Sequence, residues 1–513
     1  PNSHVVLSTL ASAILNLNNF DQHIKSLSSG TIALSGAVRL GSSATLYITN
    51  GSNGGTWDGT IAGGGNIRLT TGGTFTVDAA NTYTGSTTID ASTTLALTGG
   101  GSIAASSLVT DNGTFDISGA SSSVAIKSLA GTGGVTLGAR TLSLTAATDT
   151  FSGIISGSGG FTVSSGTEAI STATQTYTGL TTIGGSGTLV LSGGASILAS
   201  SGVNDIGTFN INGNGNTSIV TLYGSGSVLL GANTLTLTNA GPTSTGNFTG
   251  IIGGSGGLTI NGGTETLAGV NTYTGNTTIG ASGTLSISGN TVLASAKVDD
   301  SGVLLLTSNS SIKSLSGSGS VNLGSVTLTL ANANDTFSGI ISGGGGLTLS
   351  AGTETLTGAN TYSGTTTITS GATLVLGSGG SIANSRVVDN GTLDASAGST
   401  SIQSLSGTNT GSVLLANGAT LTLTNANDTF DGIISGGNAS TTFEIAGGSE
   451  TLTGVNTYTG TTQIDSGGLL KLTGSGSIAS SAAMIDNGTF DISGTTSGAT
   501  IPELRDHGLV LLG

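Results

Sequence analysis

Residues 326–331 read Val-Thr-Leu-Thr-Leu-Ala, which puts Leu328 and Leu330 on one side of an extended chain and Thr327 and Thr329 on the other. Alternation with a period of two marks a strand that buries one face. The pattern returns at 345–349 (GGLTL), 365–368 (TTTI) and 372–376 (ATLVL), with Gly, Ser, Asn or Asp between the runs. These predict short strands joined by tight turns.

The strands are organised by a longer beat. Asn-Thr-Tyr-Thr/Ser-Gly is centred on Tyr83, Tyr273, Tyr362 and Tyr458, with Asn81, Asn271, Asn360 and Asn456 two places before. Tyr177 sits in the same phrase with Gln175 in place of the asparagine, and the five tyrosines are spaced by 89 to 96 residues. An Ile-x-x-Leu pair beginning at Ile24, Ile126, Ile219, Ile312, Ile402 and Ile501 keeps this rhythm. So does an aromatic-x-Gly at Trp57, Phe151, Phe248, Phe337 and Phe430. Each period holds four or five coils of about 20 to 24 residues, the size of a solenoid repeat.

The expected fold is all-β, a right-handed parallel β-helix (β-solenoid) forming an elongated rod. It has an irregular N-terminal segment at 1–23 and a continuous β-helix of about five periods over 24–513. A string of immunoglobulin-like sandwiches is the competing architecture, but it needs separate cores, usually with a large aromatic, and linkers. The chain has one Trp and three Pro in 513 residues, and no composition break separates the periods.

Composition narrows the picture further. The 91 glycines suit tight corners, and 35% hydrophobic residues with only 7% charged is the reverse of a disordered chain. Aromatics at 4% imply a thin core of aliphatic side chains. Cysteine is absent, which excludes disulfides and thiolate metal sites. A net charge of −15 opposes nucleic acid and anionic lipid as partners. No apolar run is long enough to span a bilayer, and the N-terminus lacks the pattern of a signal peptide. Pro1 is not an initiator residue, and 508–513 align with 226–231 in mid-period. The expectation is a fragment with further repeats or a cap beyond it.

The stretch GGLTLSAGTETLTGANTYSGTTTITSGATLVLGSGGSI at 345–382 resembles the passenger-associated transport repeat, or autotransporter-associated β-strand repeat. It recurs at 256–287 and more loosely from Gly64, Gly159 and Thr441, so the periods cover nearly the whole chain. The resemblance implies the passenger region of a bacterial autotransporter: secreted or held at the outer membrane of a Gram-negative cell and carried by a C-terminal barrel. No run of strands suited to such a barrel follows Gly488, so the translocator is expected outside this fragment, with no membrane insertion of the fragment itself.

Candidate chemistry is sparse. Carboxylates recur at Glu168, Glu265, Glu354 and Glu450 and at Asp116, Asp394 and Asp491. Paired-carboxylate hydrolysis needs one site with groups about 5 to 9.5 Å apart, and residues one period apart are separated by several coils. They read as solvated charges on the outer face. Asp299-Asp300 is the one adjacent acidic pair, too few ligands for calcium. His4, His23 and His507 read as surface residues. Asp-Asn-Gly-Thr at Asp111, Asp389 and Asp486 spells tight corners in which Asn-Gly supplies positive φ, and also an N-x-T sequon. The tyrosines read first as packing at a coil corner and second as adhesive aromatics.

No catalytic, cofactor or metal residues are assigned, and no cofactor is expected. The function expected is a non-enzymatic stalk or adhesin that contacts other copies of itself, extracellular matrix or a host surface. A β-helical polysaccharide lyase or glycoside hydrolase is the alternative.

Overall fold

The computed structural model describes residues 3–7, 13–29, 36–49, 56–241, 247–289 and 293–512. Pro1 and Gly513, on which the expectation of a longer chain rests, lie outside them. The chain divides into two compact units, Pro1–Gly257 and Leu258–Gly513. The described residues contain no helix.

In the first unit Thr87–Ile89, Val109–Asp111 and Leu129–Gly131 lie side by side in parallel, with Thr87, Val109 and Leu129 in register. In the second unit Leu328, Leu347, Thr366 and Val387 continue one another in the same way, again in parallel. Parallel neighbours cannot be joined by a hairpin. Here the chain travels round a coil and returns one strand spacing further on, about 4.8 Å. Each unit is therefore a β-solenoid of stacked parallel strands.

The alternation seen in the sequence decides which way the side chains point. Leu328, Leu330, Leu347, Leu349 and Ile368 are fully buried, while Thr329, Thr348 and Thr367 between them are half-buried on the outside. Trp57, Phe151 and Phe248 in the first unit, and Phe337 and Phe430 in the second, are among the large rings of this narrow interior, all at 0% exposure. The glycine two places after each ring is a matter of space. A Cβ on Gly339 would lie 2.6 Å from Cζ of Phe337 and 1.9 Å from the Gly319 carbonyl oxygen.

Strands also occur within 1–23. His4–Leu7 pairs with Ser26–Ser29, Ile14–Asn16 with Ala37–Leu40, and Gln22–Ile24 with Thr45–Ile48, all in parallel. Most side chains of the first two strands are exposed or half-buried. With no enclosed inner face there is little alternation for the sequence to display.

Candidate functional site

The repeat-defining residues converge on one corner of the coil. Tyr83, Tyr177, Tyr273, Tyr362 and Tyr458 are buried to 1% exposure or less. Each phenol meets the hydroxyl of the threonine four residues on, Thr87, Thr181, Thr277, Thr366 and Thr462, at 2.5 to 2.7 Å. The threonine hydroxyl then meets a serine of the next coil in four of these places. Ser106, Ser200, Ser385 and Ser481 lie 2.7 to 3.0 Å away and donate on to the carbonyls of Gly85, Gly179, Gly364 and Gly460. Burial raises every one of these phenols above the ordinary tyrosine value, Tyr273 and Tyr362 to about 12. These rings bind coils together and present no surface to a partner.

The asparagines close the same corner. The side-chain oxygen of Asn81 accepts from the Ile61 N–H at 2.7 Å, that of Asn360 from Ile341 at 2.8 Å and that of Asn456 from Ile434 at 2.8 Å. Their amide groups donate back to Ala79, Gly358 and Gly454, and Asn271 donates to Gly269 at 3.0 Å. Gln175 does the same work with a longer reach, accepting from Ile155 at 2.7 Å and donating to Gly153 at 3.0 Å. A strand N–H that no neighbouring carbonyl reaches is thereby satisfied inside the core.

The carboxylates correct the sequence reading. Glu168, Glu354 and Glu450 are fully buried and Glu265 is 3% exposed, so none is a solvated charge on the outer face. The carboxyls of Glu168, Glu354 and Glu450 make no well-formed hydrogen bond, and a backbone N–H, of Leu129, Leu315 and Leu405 in turn, eases the burial of each. Burial, reinforced by Asp149, pushes Glu168 up to about 9. Burial and Asp335 push Glu354 up to about 9. Glu450 is held well above its usual value by burial and Asp428, with the Arg386 guanidinium opposing. Asp116 and Asp394 do sit half-exposed on the outer face of their strands, accepting from the Ser118 and Ser396 N–H groups. Asp491 is 8% exposed, with Lys471 at 3.6 Å.

A second row of carboxylates, of which only corner residues and an acidic pair stand out in the sequence, is also buried. Asp111, Asp205, Asp300, Asp389 and Asp486 end inward-facing strand positions at 1% exposure or less. Burial drives Asp111 and Asp205 up to about 7 and Asp300 and Asp389 to about 6, and raises Asp486. Asp299 and Asp300 point to opposite faces of their strand, as adjacent residues must, and cannot share an ion. Among the described residues no group of three or more His, Asp or Glu side chains is placed to hold a metal.

The Asp-Asn-Gly corner also differs from expectation. Neither the asparagines 112, 390 and 487 nor the glycines 113, 391 and 488 have positive φ. The aspartate makes the turn instead, its Oδ1 accepting from the N–H of Gly113, Gly391 or Gly488 at 3.0 Å. Glycine is needed for clearance. A Cβ on Gly391 would stand 2.4 Å from the backbone oxygens of both Ala372 and Thr369.

The histidines lie at exposed positions. His4 pairs with the Ser26 hydroxyl at 2.6 Å, and His23 stacks on Tyr47 at 4.1 Å.

Over 86 residues the chain is 48% identical to a curated protein, Adhesin BmaC autotransporter of Brucella suis biovar 1 (strain 1330). The match takes in 16% of this chain and 2% of that protein's length. The chain thus shares a stretch with an autotransporter adhesin, on a fold that suits a passenger region. No protein-family model matches, and no solved structure does.

Proposed function

We propose that this chain is part of the surface-exposed passenger of an autotransporter adhesin, a non-enzymatic stalk and contact surface on a Gram-negative cell. The translocator barrel belongs to the same polypeptide outside this stretch. The observation that carries the reading is the 48% identity to an adhesin autotransporter over 86 residues. Its support is physical: the recurring glutamates are enclosed in the core, where no polysaccharide can reach them. What the coils offer outward is threonine, serine and asparagine, with exposed apolar points such as Ile340, Ile433 and Val455. Its partners are another copy of the chain, extracellular matrix or a host surface.

Fluorescent beads coated with the chain are expected to adhere to epithelial monolayers or immobilised collagen above albumin-coated beads, and equal retention on both surfaces overturns the adhesive reading. Sustained product release from pectin or alginate, abolished by one Asp or Glu substitution, overturns the non-enzymatic one. Self-association is opposed by the net charge of −15. That repulsion reaches about 30 Å at 0.01 M salt and about 8 Å at 0.15 M. Light scattering is expected to rise with salt, and a particle that stays monomeric throughout at high protein concentration excludes contact between copies.

A further inference from the structure

One place on the first unit departs from the repeat at three positions that meet in space. The parallel register aligns Asn204 with Tyr223, just as it aligns Thr110 with Ala130, Asp299 with Ser316 and Val388 with Ser406. Tyr223 therefore stands where three other periods carry a small residue and the last carries Arg505. One position before the Val-x-Asp strand these periods carry Leu108, Lys297 and Arg386, whereas this one has Gly202. The two changes are neighbours: a Cβ on Gly202 would clash with Cγ2 of Thr221 at 2.6 Å and lie in ordinary contact, 3.7 Å, with Cε1 of Tyr223.

The third departure is Asn247, which precedes Phe248 where Thr150, Thr336 and Thr429 precede their phenylalanines. Lys297 pairs with Asp335 at 3.6 Å and Arg386 with Asp428 at 2.5 Å on the corresponding surface of the second unit. Here neither the cation nor the aspartate is present in the sequence. The result is an open groove of about 580 Å³ lined by Asn204, Ile206, Tyr223, Ser225, Asn247 and Thr249 among others, with no charged side chain in its described lining.

We propose that this groove binds a neutral oligosaccharide. Side-chain amides and hydroxyls can each donate and accept, which matches the paired demands of sugar hydroxyls. Ile206, 48% exposed, gives the apolar wall for the C–H face of a pyranose, and Tyr223, 9% exposed, closes the floor beneath with the small part of its surface that reaches the groove, the mixture of an apolar surface and a few placed polar groups that ligand sites use. Asn204, Tyr223 and Thr249 come from three successive coils, so the groove runs about 10 Å along the stack, roughly two sugar rings. The absence of lysine and arginine disfavours acidic glycans, and the lining includes no unpaired strand edge for an extended peptide to join. The proposal rests on the adhesive reading for its role, but binding is measured apart from adhesion.

The test is saturation-transfer NMR of the full chain with maltohexaose, cellohexaose, xylohexaose and N-acetylchitohexaose. Two variants accompany it: Tyr223→Ser, which installs the residue found at 316 and 406, and Gly202→Lys, which installs the residue found at 297. Circular dichroism checks that both keep the wild-type fold. Transfer to at least one of the four sugars is expected, weakened tenfold or more in both variants. No transfer to any of them, or equal transfer in Tyr223→Ser, overturns the proposal. Beads bearing Tyr223→Ser that adhere as well as wild type, while sugar binding is lost, detach the groove from adhesion without touching either measurement.

Discussion

Replacing Glu354 by glutamine removes a proton equilibrium from the core and leaves the shape of the side chain intact. In the native chain Glu354 is fully buried, makes no well-formed hydrogen bond, and has only the Leu315 backbone N–H opposing the effect of burial. It faces Asp335, itself 3.6 Å from Lys297, and burial with Asp335 raises it from 4.5 to about 9. The folded state keeps a proton that the unfolded state loses above its own, lower value. Stability from this group is therefore complete below pH 4.5 and falls as pH rises through the interval up to about 9. At ~1.4 kcal/mol per unit, the loss is about 0.7 kcal/mol at pH 5, about 3 at pH 7 and about 6 at pH 9. Glutamine carries an unpaired buried amide at a cost of about 1 to 3 kcal/mol that does not change with pH. Guanidinium unfolding followed by circular dichroism, run on both chains at pH 5, 7 and 9, measures the difference. The buried aspartates and the other glutamates titrate in both proteins and cancel. The variant should be close to wild type at pH 5 and more stable by several kcal/mol at pH 9. A difference that stays flat across the range, or a wild type that gains on the variant as pH rises, refutes the burial argument.

Three further outcomes test the corner of the coil. Tyr362→Phe removes the hydroxyl that meets Thr366 but leaves Thr366 its Ser385 partner. It should cost about 1 kcal/mol in the unfolding midpoint, against about 3 to 5 for Tyr362→Ala. Asn360→Ala strands the buried Ile341 N–H and should cost about 1 to 3 kcal/mol, while Asn360→Gln should recover most of it because Gln175 fills this role in another period. Amide exchange at Ile341 reads both. Gly391→Ala forces a methyl against two backbone oxygens and should lower stability by about 2 to 3 kcal/mol in thermal melts, although its φ is one that alanine tolerates.

The parallel stack was legible because alternation and repetition are properties of the chain itself. Leu328 and Leu330 point inward and Thr329 outward as read. The glutamates were placed outside because charge is expensive to bury, yet the signal against that lay in the same period of two. Glu354 is two residues before Leu356, and Asp300 is two residues after Val298, so both share the inward face. Protonation makes the burial of Glu354 tolerable, and the Gly302 N–H from which Asp300 accepts at 2.9 Å does so for the aspartate; a sequence carries no record of either. Tyr223 had a weaker signal, a bulky residue where Ala130, Ser316 and Ser406 stand.

The amino-acid order by itself determined the strand class, the inward phase and the positions that recur, since each depends on neighbours a few residues away. Only the tertiary structure decided that Thr87 would meet Ser106 on the next coil. It also decided that the Asp-Asn-Gly corner would turn on a carboxylate with φ left negative, and that Gly202 would lie against Thr221 of the next coil, where a Cβ has no room. Each of these depends on which residue of one coil lies above which residue of the next. Insertions in the turns change that offset without disturbing the local pattern, so it is settled only when the coils stack.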